Sequence, residues 1–183
     1  RPLILSFWGS LGSGAMNRAM AEFLALESAK EPFHHIHGVG EICWKSMQQW
    51  MRDDGLELAA HPALDVREYI YDMASVMRAA DLVICRAGAS TLSELTALGV
   101  PAILVPSPNV TNHHQEKNAA LLGDHGAALV LAEDGLDGKK LFAAAAGLLR
   151  DDARIRSMAE NMANLGIRDA TERIYQTVMS LLK

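Results

Sequence analysis

The sequence has little cysteine, few aromatic residues and no excess of positive charge. Its two cysteines, Cys43 and Cys85, lie far apart in apolar surroundings, which argues against a disulfide framework and indicates a reduced, cytosolic chain. The formal net charge is −5 and the isoelectric point is near 5.8. Because no basic stripe offsets this charge, we expect no nucleic-acid partner.

Long hydrophobic runs are also missing. No stretch approaches the ~18 to 20 apolar residues that span a bilayer, and no signal peptide begins the chain, so we expect a soluble protein. Arg1 and Pro2 lead directly into an apolar run without a methionine, which suggests a domain cut from a longer protein. Half of the 183 residues are hydrophobic, so residues 1–183 are expected to form one domain.

Short apolar runs alternate with segments of helical periodicity along the chain. The predicted strands are residues 3–7, 33–36, 64–67, 82–85, 102–105 and 127–131. The predicted helices are residues 15–27, 42–51, 73–79, 91–98, 116–125, 136–149, 151–165 and 170–182. Runs such as LVIC and AILV are apolar on both faces, as strands in a parallel sheet covered on both sides must be. This order predicts an α/β fold with a doubly wound, parallel, six-stranded sheet.

Ligands of open α/β sheets bind beyond the carboxyl ends of the strands, so the loops after strands carry the functional prediction. The first loop, FWGSLGSGAMN at 7–17, has glycines that allow close backbone approach, and Ser10 with the following helix start offers donors to phosphate. Its G-x-x-G-x-G spacing is not the dinucleotide fingerprint, which disfavours NAD. A glycine turn without a ligand remains an alternative.

The second loop, ICRAGASTLSEL at 84–95, places an arginine at the end of a buried strand. Arg86 is always charged and must find an anion, a carboxylate or water. Thr91 and Glu94 fit a T-x-x-E capping box, which would explain both residues without any ligand. A diphosphate on the helix dipole would instead account for all three side chains.

The third loop, PSPNVTNHHQEKNA at 106–119, is rich in amide, hydroxyl and imidazole side chains. Such groups both donate and accept, so they can bind sugar hydroxyls, although a solvated loop with an N-cap fits the composition as well. His34, His35 and His37 suggest a metal, but no cysteine or carboxylate set joins them, so we expect none. A G-x-S-x-G elbow and a Walker lysine are both missing, and no acid–base catalyst can be assigned.

Together these loops resemble the C-terminal, donor-binding half of the MurG family of glycosyltransferases, in glycosyltransferase family 28. Members transfer GlcNAc from UDP-GlcNAc to undecaprenyl-diphospho-MurNAc-pentapeptide, converting lipid I to lipid II in peptidoglycan synthesis. The matching stretches are GSLG at 9–12 with Asn17, REYIYDM at 67–73, ADLVICRAGASTLSE at 80–94, GVPAILVPSP at 99–108, HQEKNA at 114–119 and DATERI at 169–174. They span nearly the whole chain in the family's order.

The resemblance implies residues for the diphosphate. Ser10 and its loop would contact the phosphates, and Arg86 would stabilise the departing diphosphate as the catalytic group. The other residues implied to bind the donor here are Gly12, Asn17, Gly88, Ala89, Ser90 and Thr91. No metal and no cofactor is implied.

The resemblance also implies residues for the uridine and the sugar. The backbone at Tyr69 and Ile70 would pair with uracil, and Glu94 would hold the ribose hydroxyls. The ribose function competes with the capping box, and we favour the ribose. His114 and Gln115 would lie where the family often has two glutamines that recognise GlcNAc hydroxyls. His114 and Trp8, which replaces a loop glycine of many members, depart from the family pattern.

The rest of the implied protein lies outside this sequence. The resemblance implies a GT-B enzyme of which this chain is the second Rossmann-like domain. The acceptor groove, the membrane contact and the general base would belong to a missing N-terminal domain. We therefore expect the chain alone to be inactive, the C-terminal segment 166–183 to pack on that domain, and the whole protein to lie at the cytoplasmic face of the membrane.

Two alternatives remain open. The chain could belong to a family member with another lipid acceptor, or it could be a UDP-sugar-binding subunit that is inactive without a partner chain. An epimerase shares the fold, but the acid–base residues it would need are not found in comparable loops.

Overall fold

A six-stranded parallel sheet with helices on both faces organises residues 1–30 and 32–182, the part of the chain that this computed structural model describes. Lys183, at the end of the predicted segment 166–183, lies outside the described residues. The strands are β1 (Leu3–Phe7), β2 (His34–Gly38), β3 (Leu64–Arg67), β4 (Leu82–Cys85), β5 (Ala102–Leu104) and β6 (Ala128–Val130). The helices are α1 (Gly14–Ser28), α2 (Trp44–Asp53), α3 (Met73–Ala79), α4 (Ala89–Leu98), α5 (His114–Asp124), α6 (Gly138–Leu149), α7 (Asp152–Asn164) and α8 (Ala170–Leu181).

The strand order, β3-β2-β1-β4-β5-β6, confirms the doubly wound sheet. The chain reverses direction across the sheet between β1 and β4, and the loops that leave these two strands diverge to opposite faces. Phe7, the last residue of β1, pairs in register with Gly38 of β2 and Cys85 of β4. The three loops that follow these residues therefore begin side by side at one edge of the sheet.

The core has two parts, one on each face of the sheet, because successive strand residues point in opposite directions. Ile4 belongs to the cluster covered by α1, α2 and α6, where Phe23 and Leu141 are buried. Its neighbour Leu5 belongs to the cluster covered by α3, α4 and α5, where Leu95 is buried. Both strand residues are 0% exposed. This two-sided burial explains why the strands are apolar throughout.

Helix α4 begins earlier than the sequence predicted. It starts at Ala89, with Gly88 in extended conformation at its N-cap, so Thr91 lies inside the first turn. No side chain caps this helix end. The capping-box alternative for Thr91 and Glu94 is therefore wrong, because a capping residue must itself occupy the N-cap position.

Helix α8 carries an uncovered apolar side. It buries none of its residues, and the side chains of Ile174, Tyr175, Val178 and Leu181 are each at least half exposed. The predicted packing of this segment on another domain stays a prediction. Within the described part of the chain, no helix is long and apolar enough to cross a membrane.

Candidate functional site

A cavity of about 210 Å³ opens at the carboxyl edge of the sheet, where β1, β2 and β3 meet the start of α4. We call it the switch-point cavity, because it lies where the strand order reverses. Its lining residues are Phe7, Gly9, Ser10, Gly38, Gly40, Glu68, Tyr69, Ile70, Met73, Ser90, Thr91 and Glu94.

Half of these residues were predicted from the sequence as site residues. They are Ser10, Tyr69, Ile70, Ser90, Thr91 and Glu94. They come from three separate segments and meet because each segment follows the carboxyl end of a parallel strand. The tertiary structure thus brings the predicted phosphate, base and ribose residues to one cavity, while their individual functions stay predictions.

The N-terminus of α4 forms one wall of the cavity. Gly88 at the N-cap has no side chain to cap the helix, so the first-turn N–H groups are left for solvent or a ligand. Ala89 and Ser90 are exposed at this end. The positive end of the helix dipole therefore faces the cavity and can bind an anion there.

The loop after β1, which carries Gly12, and the loop after β2, which carries Gly40, contact each other at the opposite wall. We call them the two glycine loops. Gly12 has φ +83°, and a Cβ there would lie 2.3 Å from the carbonyl oxygen of Val39. Gly40 has φ +87°, and its Cβ would lie 2.3 Å from the backbone nitrogen of Gly12. Only glycine fits such contacts. Gly38 and Gly40 were not predicted as site residues, although the GVG run at 38–40, where β2 ends, is a signal that could have revealed them.

Arg86 finds a carboxylate. Its Nη1 donates to Glu133 Oε2 at 2.5 Å and to the Val105 carbonyl at 3.1 Å, and its Nη2 donates to Ser13 Oγ at 3.0 Å. Its guanidinium carbon lies 5.9 Å from the ring centroid of Trp8. Arg86 does not line the switch-point cavity. Its function at a leaving diphosphate stays a prediction. Glu133, after β6, is a partner that was not predicted from the sequence.

The residues predicted to recognise the sugar lie outside the cavity lining. His114 Nδ1 is 2.9 Å from the Thr111 carbonyl oxygen, and Gln115 Oε1 accepts from the Ser107 backbone N–H at 2.9 Å. Both side chains contact the backbone of their own loop. Their contact with a sugar stays a prediction.

Asn17, also predicted to bind the donor, is fully buried behind the glycine loops. Its amide nitrogen donates to the Val39 carbonyl at 2.8 Å, and its amide oxygen lies 3.0 Å from His37 Nε2. Both polar atoms of the Asn17 side chain therefore have protein partners. Direct contact with the donor stays a prediction for this residue.

The histidines of β2 make protein contacts of their own. His35 and His37 are buried, and both contact the hydroxyl of Ser6. Burial, and secondly the neighbouring His35, lower the pKa of His37 from 6.5 to about 3, so its ring is neutral at physiological pH. Among residues 1–30 and 32–182, no cluster of three or more His, Cys, Asp or Glu side chains could hold a metal ion.

Comparison with known proteins gives relatives over the full chain. A protein of Acetivibrio thermocellus named UDP-N-acetylglucosamine--N-acetylmuramyl-(pentapeptide) pyrophosphoryl-undecaprenol N-acetylglucosamine transferase is 41% identical over 182 residues, covering 100% of this chain and 48% of that protein. The crystal structure of Acinetobacter baumannii MurG matches with a TM-score of 0.82 at 30% identity, covering 98% of this chain and 52% of that one. The chain spans about half the length of these relatives.

A more distant likeness concerns the fold alone. The structure of a UDP-GlcNAc 2-epimerase from Neisseria meningitidis, bound to UDP-GlcNAc, matches with a TM-score of 0.66 at 16% identity over 98% of this chain and 45% of that one. The family model described as the glycosyltransferase family 28 C-terminal domain matches residues 3–174. This match covers nearly all of the sheet and its helices, and the chain belongs to the glycosyltransferase family 28 C-terminal domain family.

Proposed function

We propose that this chain is the donor-binding half of an inverting transferase that moves GlcNAc from UDP-GlcNAc to undecaprenyl-diphospho-MurNAc-pentapeptide. The observation that carries the proposal is the switch-point cavity, in which an uncapped helix N-terminus, a glycine loop and the carboxylate of Glu94 face one another. The name of the 41% identical relative supports this donor and this acceptor.

In the proposed complex, the diphosphate lies at the N-terminus of α4. First-turn N–H groups and the helix dipole stabilise the negative charge that grows on departing UDP, and Ser10 from the opposite loop adds a hydroxyl donor. These groups are fixed before the reaction, so little reorganisation is needed. Arg86 lies outside the cavity lining, and its Nη2 donates to Ser13 Oγ in the loop that carries Ser10.

The nucleoside would occupy the part of the cavity lined by Tyr69, Ile70 and Glu94. Ile70 is only 4% exposed, so its backbone rather than its side chain is suited to pair with a base edge. Glu94 lies on the exposed side of α4, and its carboxylate can accept hydrogen bonds from two ribose hydroxyls.

The acceptor site, the general base and the membrane contact would lie in the other half of a longer protein. The exposed apolar side of α8 supports packing against a further domain, because an uncovered row of large apolar side chains is costly in water. The whole enzyme would then act at the cytoplasmic face of the membrane, and this half alone would bind donor without turnover.

Calorimetric titration of the chain in metal-free buffer tests the donor proposal. We expect UDP and UDP-GlcNAc to bind, UDP-GalNAc to bind more weakly and NAD not to bind. Binding of NAD in place of UDP would contradict the proposal. Equal binding of UDP-GlcNAc and UDP-GalNAc would remove the sugar selectivity and leave a uridine-diphosphate site.

Glu94→Ala is expected to weaken UDP binding by about 1.5 to 3 kcal/mol, the size of a lost charge-assisted hydrogen bond. Because Glu94 is exposed and does not cap α4, the melting temperature should stay within the usual range for surface substitutions. Titration calorimetry and thermal melts of the same samples measure both quantities.

Glu160→Ala is the matched control, since it removes an exposed carboxylate of the same charge from α7, outside the cavity lining. It should leave UDP affinity unchanged. A lowered melting temperature with unchanged affinity in Glu94→Ala would assign Glu94 to the fold and not to the ribose.

A further inference from the structure

A buried polar network lies directly behind the glycine loops. It consists of Glu27, His35, Ser6, His37 and Asn17, each no more than 1% exposed, and none of them lines the switch-point cavity. The contacts run in order Glu27 Oε2–His35 Nδ1 (2.6 Å), His35 Nε2–Ser6 Oγ (2.8 Å), Ser6 Oγ–His37 Nδ1 (2.7 Å), His37 Nε2–Asn17 Oδ1 (3.0 Å) and Asn17 Nδ2–Val39 O (2.8 Å).

The carbonyl end of the network determines the direction of the hydrogen bonds from Val39 back to His35. Because the Val39 oxygen can only accept, the Asn17 amide nitrogen must face it and Asn17 Oδ1 must face His37. His37 Nε2 therefore carries the proton and donates to Asn17 Oδ1. The other tautomer would direct the Nδ1 proton at the Ser6 carbonyl, 3.2 Å away, and would leave two acceptors facing each other at Asn17.

The same argument extends to the far end. A neutral His37 accepts at Nδ1, so the Ser6 hydroxyl donates to it and must accept from His35 Nε2. One proton then remains between His35 Nδ1 and Glu27 Oε2, which makes the pair neutral overall whichever atom holds it. Net neutrality suits a pair in which Glu27 Oε1 is buried and, within the described residues, has no partner.

The near end of the network meets the wall of the cavity. Asn17 lies in the first turn of α1, directly after the glycine loop that carries Gly12. Its amide nitrogen donates to the carbonyl of Val39, the residue before Gly40. The glycine loop contacts Val39 and Gly40 so closely that no Cβ fits at Gly12 or Gly40. The Asn17 amide therefore connects the start of α1, which follows the loop after β1, to the loop after β2.

We propose that Asn17 is a positioning residue and, contrary to the prediction from the sequence, does not touch the donor. The hydrogen bonds of the network orient its amide, and the amide holds the two glycine loops together. The effect on ligand binding rests on the proposed function. The proton positions do not, because they follow from the protein's own contacts. The two parts can therefore be tested separately.

The proton positions are tested on the unaltered chain by the ¹⁵N NMR shifts of its histidine rings. We expect His37 as the neutral Nε2–H tautomer, unchanged over about pH 5 to 8, the range in which exposed histidines titrate. An Nδ1–H tautomer or a charged ring at His37 would overturn the network's direction and with it the proposal, whether or not any variant folds.

The positioning function is tested with Asn17→Asp, which keeps an acceptor for His37 but replaces the donor to Val39 by an oxygen. We expect the Kd for UDP to rise about tenfold or more, equivalent to one lost hydrogen bond of about 1.4 kcal/mol. The Nε2–H signal of His37 should persist. Unchanged UDP affinity in a folded Asn17→Asp chain would overturn the positioning function.

Met20→Ala provides the control for general destabilisation. Met20 is fully buried in the same helix but belongs to the apolar core and not to the network. It should lower the melting temperature and leave the Kd for UDP unchanged. Equal loss of UDP affinity in Asn17→Asp and Met20→Ala would show that Asn17 only supports the fold. If the unaltered chain did not bind UDP, the proposed function would be overturned, but the assignment of the protons would stand.

Discussion

Gly40→Ala is expected to remove most UDP binding and to destabilise the fold. An added Cβ would lie 2.3 Å from Gly12 N and 2.5 Å from the carbonyl carbon of Leu11, and both are backbone atoms that cannot rotate away. The loop after β1 would have to move by about an ångström. A misplacement of this size can lower the reaction rate of an active site about a hundredfold. Overpacking and the left-handed φ of +87° together add about 2 to 6 kcal/mol of destabilisation.

Gly55→Ala separates the steric clash of the added Cβ from the strain of a positive φ. Gly55 also has a positive φ, +73°, but a Cβ there meets nothing within 4 Å, and the residue lies after α2, outside the cavity lining. We expect a cost of about 1 to 2 kcal/mol from the backbone alone and no change in UDP affinity. Urea unfolding and calorimetry on both variants give the comparison. If Gly40→Ala behaved like Gly55→Ala, the interlocking of the two loops would not shape the site.

The stability of the chain should fall steeply on acidification because of His37. The pKa of His37 in the folded chain is about 3, against 6.5 for an exposed histidine. Between pH 6.5 and pH 3, this residue is therefore protonated in the unfolded chain and neutral in the folded chain. The contribution to stability is complete above pH 6.5 and is lost as the pH falls towards 3. From about pH 6.5 to about pH 4.5 the free energy of unfolding should drop by about 2 kcal/mol from this residue.

His37→Gln tests this contribution, since an amide can donate to Asn17 and accept from Ser6 without titrating. The neighbouring His35 and Glu27 remain in both proteins, so the two chains differ only at residue 37. Urea unfolding at several pH values should give a shallower acid dependence for the variant. Parallel curves for the two proteins would show that His37 accepts its proton in the folded state.

Much of the fold was predictable because it rests on local patterns. Strands apolar on both faces and helices between them indicate a covered parallel sheet, and the observed strands differ from the predicted ones mainly at their ends. Strand β2 ends at Gly38 and not at residue 36, because His37 is buried in the polar network and pairs as part of the strand although it is not apolar. The contacts of His37 with Ser6 of β1 and Asn17 of α1 therefore decided where β2 ends.

The convergence of Ser10, Tyr69 and Glu94 was predictable for a different reason. Each follows the carboxyl end of a strand, and parallel strands bring those ends to one edge whatever the intervening sequence. The partner of Arg86 was not predictable in this way. Glu133 is 47 residues away along the chain, and no spacing rule connects the two side chains.

The sequence by itself determined the layered α/β architecture, the sheet edge at which predicted site residues meet and the family, since apolar periodicity and short motifs act through neighbouring residues. The tertiary structure alone decided that Arg86 pairs with Glu133, that Asn17 lies behind the cavity wall, and that Gly12 and Gly40 meet. These contacts join residues from different strand connections. Their distances depend on how the whole sheet packs, which a linear pattern of residues does not encode.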